Sequence, residues 1–330
     1  RPPRRWPAPR ADAAPARRSW AAARGGAPAG APPRPAPTPV TPPSPAPRPP
    51  AAVVAADGRP PVEPEGLPSG ADVAPDSEVD GATLGGSLVA RAASVRGDRA
   101  RLDGVGRTDG YLLRVLGDHH TRPALVSVVA SGRPGPATQA LTRTACQALV
   151  AQLSRLGVSI DTSWRSGDLR AVRGVLEGVL PAVHGRVAEL ARVRNLSGPA
   201  AEVGLTCVVS DLGDRSTRRH LAFRVGRGNA FLRDGDEWVP VLPENPDADV
   251  EVATVTTRRG DLLALTTGSG ARAFGRTDVG PVFAEQWRSA PSDLVDFLRQ
   301  LGVRTTATDD DRTVVCLWDF TPPTDHAATE

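Results

Sequence analysis

Near residue 85 the composition of this chain changes abruptly, and the change limits how much of it can build a core. Residues 1 to about 85 are rich in Pro, Ala and Gly, as in "APPRPAPTPVTPPSPAPRPP", and half of the chain's 34 prolines fall in its first 50 residues. With so few large aliphatic side chains, such a segment cannot bury enough apolar surface to offset its ordering entropy. Residues 1–85 are therefore expected to form a disordered, partly polyproline II tether. The first 50 residues also carry nine arginines against one acid, Asp12, so the net charge of +3 combines a basic tail with a mildly acidic body. Scattered among prolines rather than packed with aromatics, these arginines fit a solvated linker better than a nucleic-acid site, and nucleic acid is not expected as a partner.

After Gly85 the pattern is that of folded protein, expected over 86–320 and followed by a flexible tail at 321–330. "SLVARAASV" and "GYLLRVL" read as strands, and "ALVSVV" is a continuous apolar run of the kind found in strands covered on both faces. Leu141, Ala145, Leu149 and Leu153 recur at helical spacing, with Pro136 suited to the first turn and Gly157 expected to end the helix. A second helical region runs through Val172, Leu176, Val179, Val183 and Val187, where Pro181 predicts a kink or break. The second half is mainly strands, with Asp234-Gly235 marking a tight hairpin. Two short helices, "PVFAEQW" and "PSDLVDFLRQLG", and the last strand "TVVCLWD" complete an α+β order. The three cysteines, Cys146, Cys207 and Cys316, lie apart in apolar runs, as expected of buried thiols in a reducing, cytoplasmic setting. No apolar run approaches the length of a membrane span.

Several loops that could carry chemistry lie at the ends of these strands. The strings "ASVRG", "GRTDG", "VSVVASG", "RVGRGNAFLRDGDEW", "DLLALTTGSGA", "VFAEQWRSAP" and "DDDRTVVCLWD" follow one another over roughly residues 88 to 319. In that order they resemble the metal-dependent protein phosphatases of the protein phosphatase 2C family (PPM type), in the short form common in actinobacteria. The resemblance implies a four-layer α-β-β-α sandwich of two antiparallel sheets flanked by helices. It also implies two Mg²⁺ or Mn²⁺ ions that activate water for attack on a phosphoserine or phosphothreonine.

Carried onto this chain, the family's metal ligands are Asp109, Asp310 (with the adjacent Asp309 as the alternative) and the backbone carbonyl of Gly132, while two ligand positions have lost their carboxylates. The bridging aspartate of a "VADG" pattern is Ser131, and the aspartate of an "LTTDG" pattern is Gly268. The "GDS" turn of the family reads Gly226-Arg227-Gly228, which brings a cation toward the same region. The arginine expected to contact substrate phosphate is Arg96 or Arg107. Two lost carboxylates remove several kcal/mol of attraction for a dication, at about 4 kcal/mol per unit-charge pair near 4 Å. The expectation is therefore a pseudophosphatase that binds a phosphoprotein or a Ser/Thr kinase signalling partner, with metal binding weak or limited to one ion. The alternatives are an active but atypical Ser/Thr phosphatase and, third, a nucleic-acid binder acting through the arginine tail.

Overall fold

The computed structural model describes residues 53–54 and 75–320, apart from 118–122, 136, 197, 199–201, 214–215, 244–248, 292, 303 and 306–308. Most of the expected tether and the whole tail at 321–330 lie outside the described residues. Two antiparallel sheets form the centre of the domain. One has five strands in the order β9-β6-β5-β4-β3: Glu251–Arg258, Thr217–Val225, Val203–Asp211, Ala124–Gly132 and Gly110–Leu116. The other has six strands in the order β1-β2-β11-β10-β7-β8: Ser77–Leu84, Leu88–Val95, Arg312–Asp319, Leu262–Thr266, Asn229–Asp234 and Glu237–Pro240.

Side-chain alternation along the strands explains the layering. In β4, Val126, Val128 and Ala130 face one way, toward the helices that follow the short α1 (Asp98–Leu102), namely α2 (Thr138–Ser166) and α3 (Leu169–Val193). Leu125 and Val129 face the other way, toward Leu263, Leu265, Val315 and Leu317 of the opposite sheet. β11 divides likewise: Val314, Cys316 and Trp318 meet α4 (Gly268–Phe274), α5 (Gly280–Gln286) and α6 (Leu294–Leu301) through an aromatic cluster centred on Trp287. A strand buried on both faces needs an almost continuous apolar run, which is what "ALVSVV" and "TVVCLW" supply. The result is the α-β-β-α sandwich.

Three local expectations are corrected. Gly157 does not end α2. The helix bends there, at φ 9 and ψ −81, and resumes to Ser166. Ile160 and Trp164 beyond the bend are buried in the same core as Leu149 and Leu153, and that burial outweighs the roughly 1 kcal/mol cost of a helical glycine. α3 likewise continues through Pro181. Pro181 and Glu177 are both solvent-exposed, so water can satisfy the carbonyl that the proline leaves without a donor. Finally, the sheet begins at Ser77, ahead of the boundary drawn at residue 85. β1 is an edge strand with no fully buried position, so it carries little apolar signal.

A buried polar chain ties the two sheets together at one end. Ser210 Oγ and His220 Nδ1 are 2.8 Å apart, and His220 Nε2 lies 2.7 Å from Thr257 Oγ1. Thr257 in turn donates to Asp319, which also accepts from Arg218 Nε at 2.6 Å. Burial, with help from the Arg218 charge, lowers the His220 pKa to about 3.

Candidate functional site

At the other end of the same strands, the segment before β3, the end of β4, the β6–β7 turn, the start of α4 and the segment before β11 converge. They line a cleft of about 400 Å³ that contains Asp109, Ser131, Gly132, Arg227, Gly268 and Asp310. The residues assigned from the sequence as ligands or as lost ligands thus share one cavity.

Their chemistry differs from one to the next. Asp109 is buried and accepts from Thr267 Oγ1 at 2.7 Å. Burial pushes its carboxyl well above the ordinary carboxylate range and neighbouring Asp311 adds to the shift, against the hydrogen bonds of Thr267 and Thr313. Asp310 is half exposed and pairs with Arg272 at 2.5 Å. Asp311, which was not among the candidates, is buried and acts as a clamp. Its Oδ1 accepts from Gly97 N at 2.7 Å, and its Oδ2 accepts from Thr108 N at 2.6 Å and Thr108 Oγ1 at 2.8 Å. It thereby ties the start of β11 to the segment that carries Asp109.

Arg96 and Arg107 do not line the cleft. Each is buried and turned to the edge strand region: Arg96 to Asp76 at 3.0 Å and to the Ala100 carbonyl at 3.0 Å, Arg107 to Glu78 at 2.7 Å and to the Ser94 carbonyl at 3.1 Å. The arginines that do line it are Arg99, Arg133, Arg227 and Arg272.

The environment of Gly268 is set by Arg227. A Cβ added at Gly268 would lie 3.1 Å from the Arg227 Cβ and 3.8 Å from its Cδ, so the arginine stem runs past the position where the resemblance expects a carboxylate. The turn that carries Arg227 is held tightly. Gly228 has φ 128, and a Cβ there would collide with the Thr206 hydroxyl and come within 2.9 Å of the Thr266 carbonyl oxygen. Only glycine suits both this backbone conformation and this approach. On the other side, a Cβ at Gly204 would lie 3.2 Å from Arg227 N and 3.5 Å from Ser131 Oγ, which puts the serine hydroxyl close to the arginine turn.

These donors do not fit a two-ion centre. Hard divalent cations need several anionic oxygens, and here Ser131 and Gly268 offer no charge, Asp311 is occupied by backbone and hydroxyl donors, and Asp310 is neutralised by Arg272. Among the described residues, no group of three or more His, Cys, Asp or Glu side chains is placed to hold a metal ion. No described helix is long and apolar enough to cross a membrane.

No protein-family model and no curated protein matches the chain. Among solved structures it is similar to the phosphatase domain of the cell fate determinant SpoIIE from Bacillus subtilis, with 17% identity over 77% of this chain and 98% of that one and a TM-score of 0.40. It is also similar to the PPM Ser-Thr phosphatase MsPP from Mycobacterium smegmatis in complex with cacodylate, at 17% identity over 71% and 99% of the two chains, TM-score 0.41. A third likeness is to the S. agalactiae serine/threonine phosphatase, at 12% identity over 74% and 99%, TM-score 0.45.

Proposed function

We propose that this α-β-β-α domain is a protein phosphatase 2C-type module that binds a phosphoprotein or signalling partner and does not hydrolyse phosphoester bonds with a metal pair. The observation that carries the reading is the Arg227 side chain lying against Gly268 in the cleft. The arginine stem runs past the position where a two-ion centre would need a carboxylate, and a positive charge on the wall of this cleft repels the dications that such a centre must hold. The motif order over residues 88 to 319 and the layering of the sheets support the fold assignment. Loss of the carboxylates at Ser131 and Gly268, with the remaining acids engaged elsewhere, supports the loss of hydrolysis.

One observation favours the second reading, an active but atypical phosphatase: Asp109 and Asp310 both line the cleft, and a single Mg²⁺ can be held by one or two carboxylates. The full chain assayed with an aryl phosphate and with phosphoserine peptides, with and without Mn²⁺, distinguishes the two. Turnover no faster than buffer supports the binding module. Mn²⁺-dependent turnover abolished by Asp310→Ala establishes the enzyme.

A further inference from the structure

Pairing the charged groups of the cleft leaves one over among the described residues. Asp103 pairs with Arg99 at 2.8 Å, Glu202 with Arg133 at 3.6 Å and Asp310 with Arg272 at 2.5 Å. Asp311 is taken by Gly97 and Thr108, and Asp109 by Thr267. Every acid that lines the cleft therefore has a partner, and so do three of its four arginines. Arg227, exposed to the cleft, has no acidic partner among the described residues.

From this we infer that Arg227 is an anchor for a phosphomonoester dianion, so that the cleft takes up a phosphoserine or phosphothreonine side chain without any divalent metal. This assignment rests on the binding-module reading above and names the ligand group of the same site. Three features support it. The turn that carries Arg227 is fixed by Gly228 and packs over Gly204, so its backbone position is set before any ligand arrives. The absence of a side chain at Gly268 leaves room for the arginine stem; an aspartate there would press on that stem and draw the guanidinium into an ion pair. The Ser131 hydroxyl opens on the same cleft near the arginine turn and adds a neutral donor where a carboxylate would repel phosphate. A planar guanidinium with no acidic partner among the described residues suits a phosphate's oxygens, and a turn fixed in advance reduces the entropy lost on binding.

The test is a calorimetric titration of the full chain with O-phosphoserine, and with a phosphoserine peptide, in EDTA. The expected result is saturable binding that EDTA does not weaken, that unphosphorylated serine does not reproduce, and that Arg227→Ala and Arg227→Gln each reduce at least about tenfold, the loss expected when a charged hydrogen-bonding partner is removed. Thermal melts of both variants, matched to the parent, show that they are folded. Phosphoserine binding undiminished in both folded variants overturns the role of Arg227 and leaves the binding-module reading standing. No saturable binding to parent protein at millimolar ligand overturns it in the same way. Binding that disappears in EDTA and returns with Mn²⁺, accompanied by turnover, overturns both readings together.

Discussion

On the proposed reading, in which Ser131 and Gly268 stand at lost ligand positions, aspartates at both positions should not by themselves rebuild a metal centre in this cleft, because Arg227 has to leave as well. In Ser131→Asp/Gly268→Asp, the new Cβ at position 268 would sit 3.1 Å from the Arg227 Cβ, and the added carboxylate is expected to pair with that arginine instead of facing a metal. Gly268 is not among the glycines with positive φ, so the backbone accepts an aspartate and the obstacle is charge and space. A unit charge about 5 Å from a dication interacts by roughly 7 kcal/mol at an effective dielectric of about 20. Arg227 is exposed, and solvent screening reduces that to about 2 kcal/mol, or roughly thirtyfold in Kd. Calorimetry with Mn²⁺ on the double variant and on Ser131→Asp/Gly268→Asp/Arg227→Ser should show the triple variant binding at least that much more tightly, with aryl phosphate turnover in the triple variant alone. Equal Mn²⁺ affinity in the two would refute the placement of Arg227 as the blocking cation.

Other predictions concern stability. Asp311→Ala leaves the Gly97 and Thr108 backbone donors buried without an acceptor and should cost about 3 kcal/mol in urea melts, whereas Asp310→Ala breaks an exposed pair and should cost less than about 1 kcal/mol. Gly228→Ala combines a strained φ of 128 with a collision at the Thr206 hydroxyl and should lower stability by about 3 kcal/mol on the same scale. His220 is held neutral in the folded state, with its pKa lowered to about 3. The unfolded chain alone takes up that proton between about pH 6.5 and pH 3, so His220 contributes a loss of stability that grows as pH falls through this window, at up to about 1.4 kcal/mol per pH unit. His220→Gln should flatten the pH dependence of the urea midpoint there, and an unchanged slope would contradict the assignment.

Much of the fold was legible because its strands are buried on both faces. Runs such as "ALVSVVASG" and "TVVCLWD" mark strands covered on both faces and an α+β order, whereas the four-layer arrangement was implied by the family resemblance and not by the runs themselves. The edge strand "SEVDGATL" escaped notice because half-exposed positions carry polar residues. Gly157 and Pro181 misled for a related reason: local propensity argues for a break, but burial of Ile160 and Trp164 and exposure of Pro181 are tertiary facts. In the site, motif order brought Asp109, Ser131, Gly132, Gly268 and Asp310 to one cleft. It could not show that Arg96 and Arg107 turn to Asp76 and Glu78, since those acids lie in the segment first read as tether. Nor could it separate Asp309 from Asp310, and nothing in it marked the neighbouring Asp311 as the residue taken by buried backbone donors while Asp310 goes to an exposed arginine. The signal that did survive in the sequence was Gly226-Arg227-Gly228. An arginine between two glycines at a strand turn has its backbone pinned and its side chain presented.

The most direct test of the central claim is a count of bound Mn²⁺ on the unmodified full chain, by calorimetry with electron paramagnetic resonance of the free ion. A cleft whose acids are all engaged, and whose Arg227 has no acidic partner among the described residues, should show no saturable site at millimolar Mn²⁺ and no turnover of aryl phosphate. Two bound ions per chain, lost in Asp109→Asn along with turnover, would contradict it.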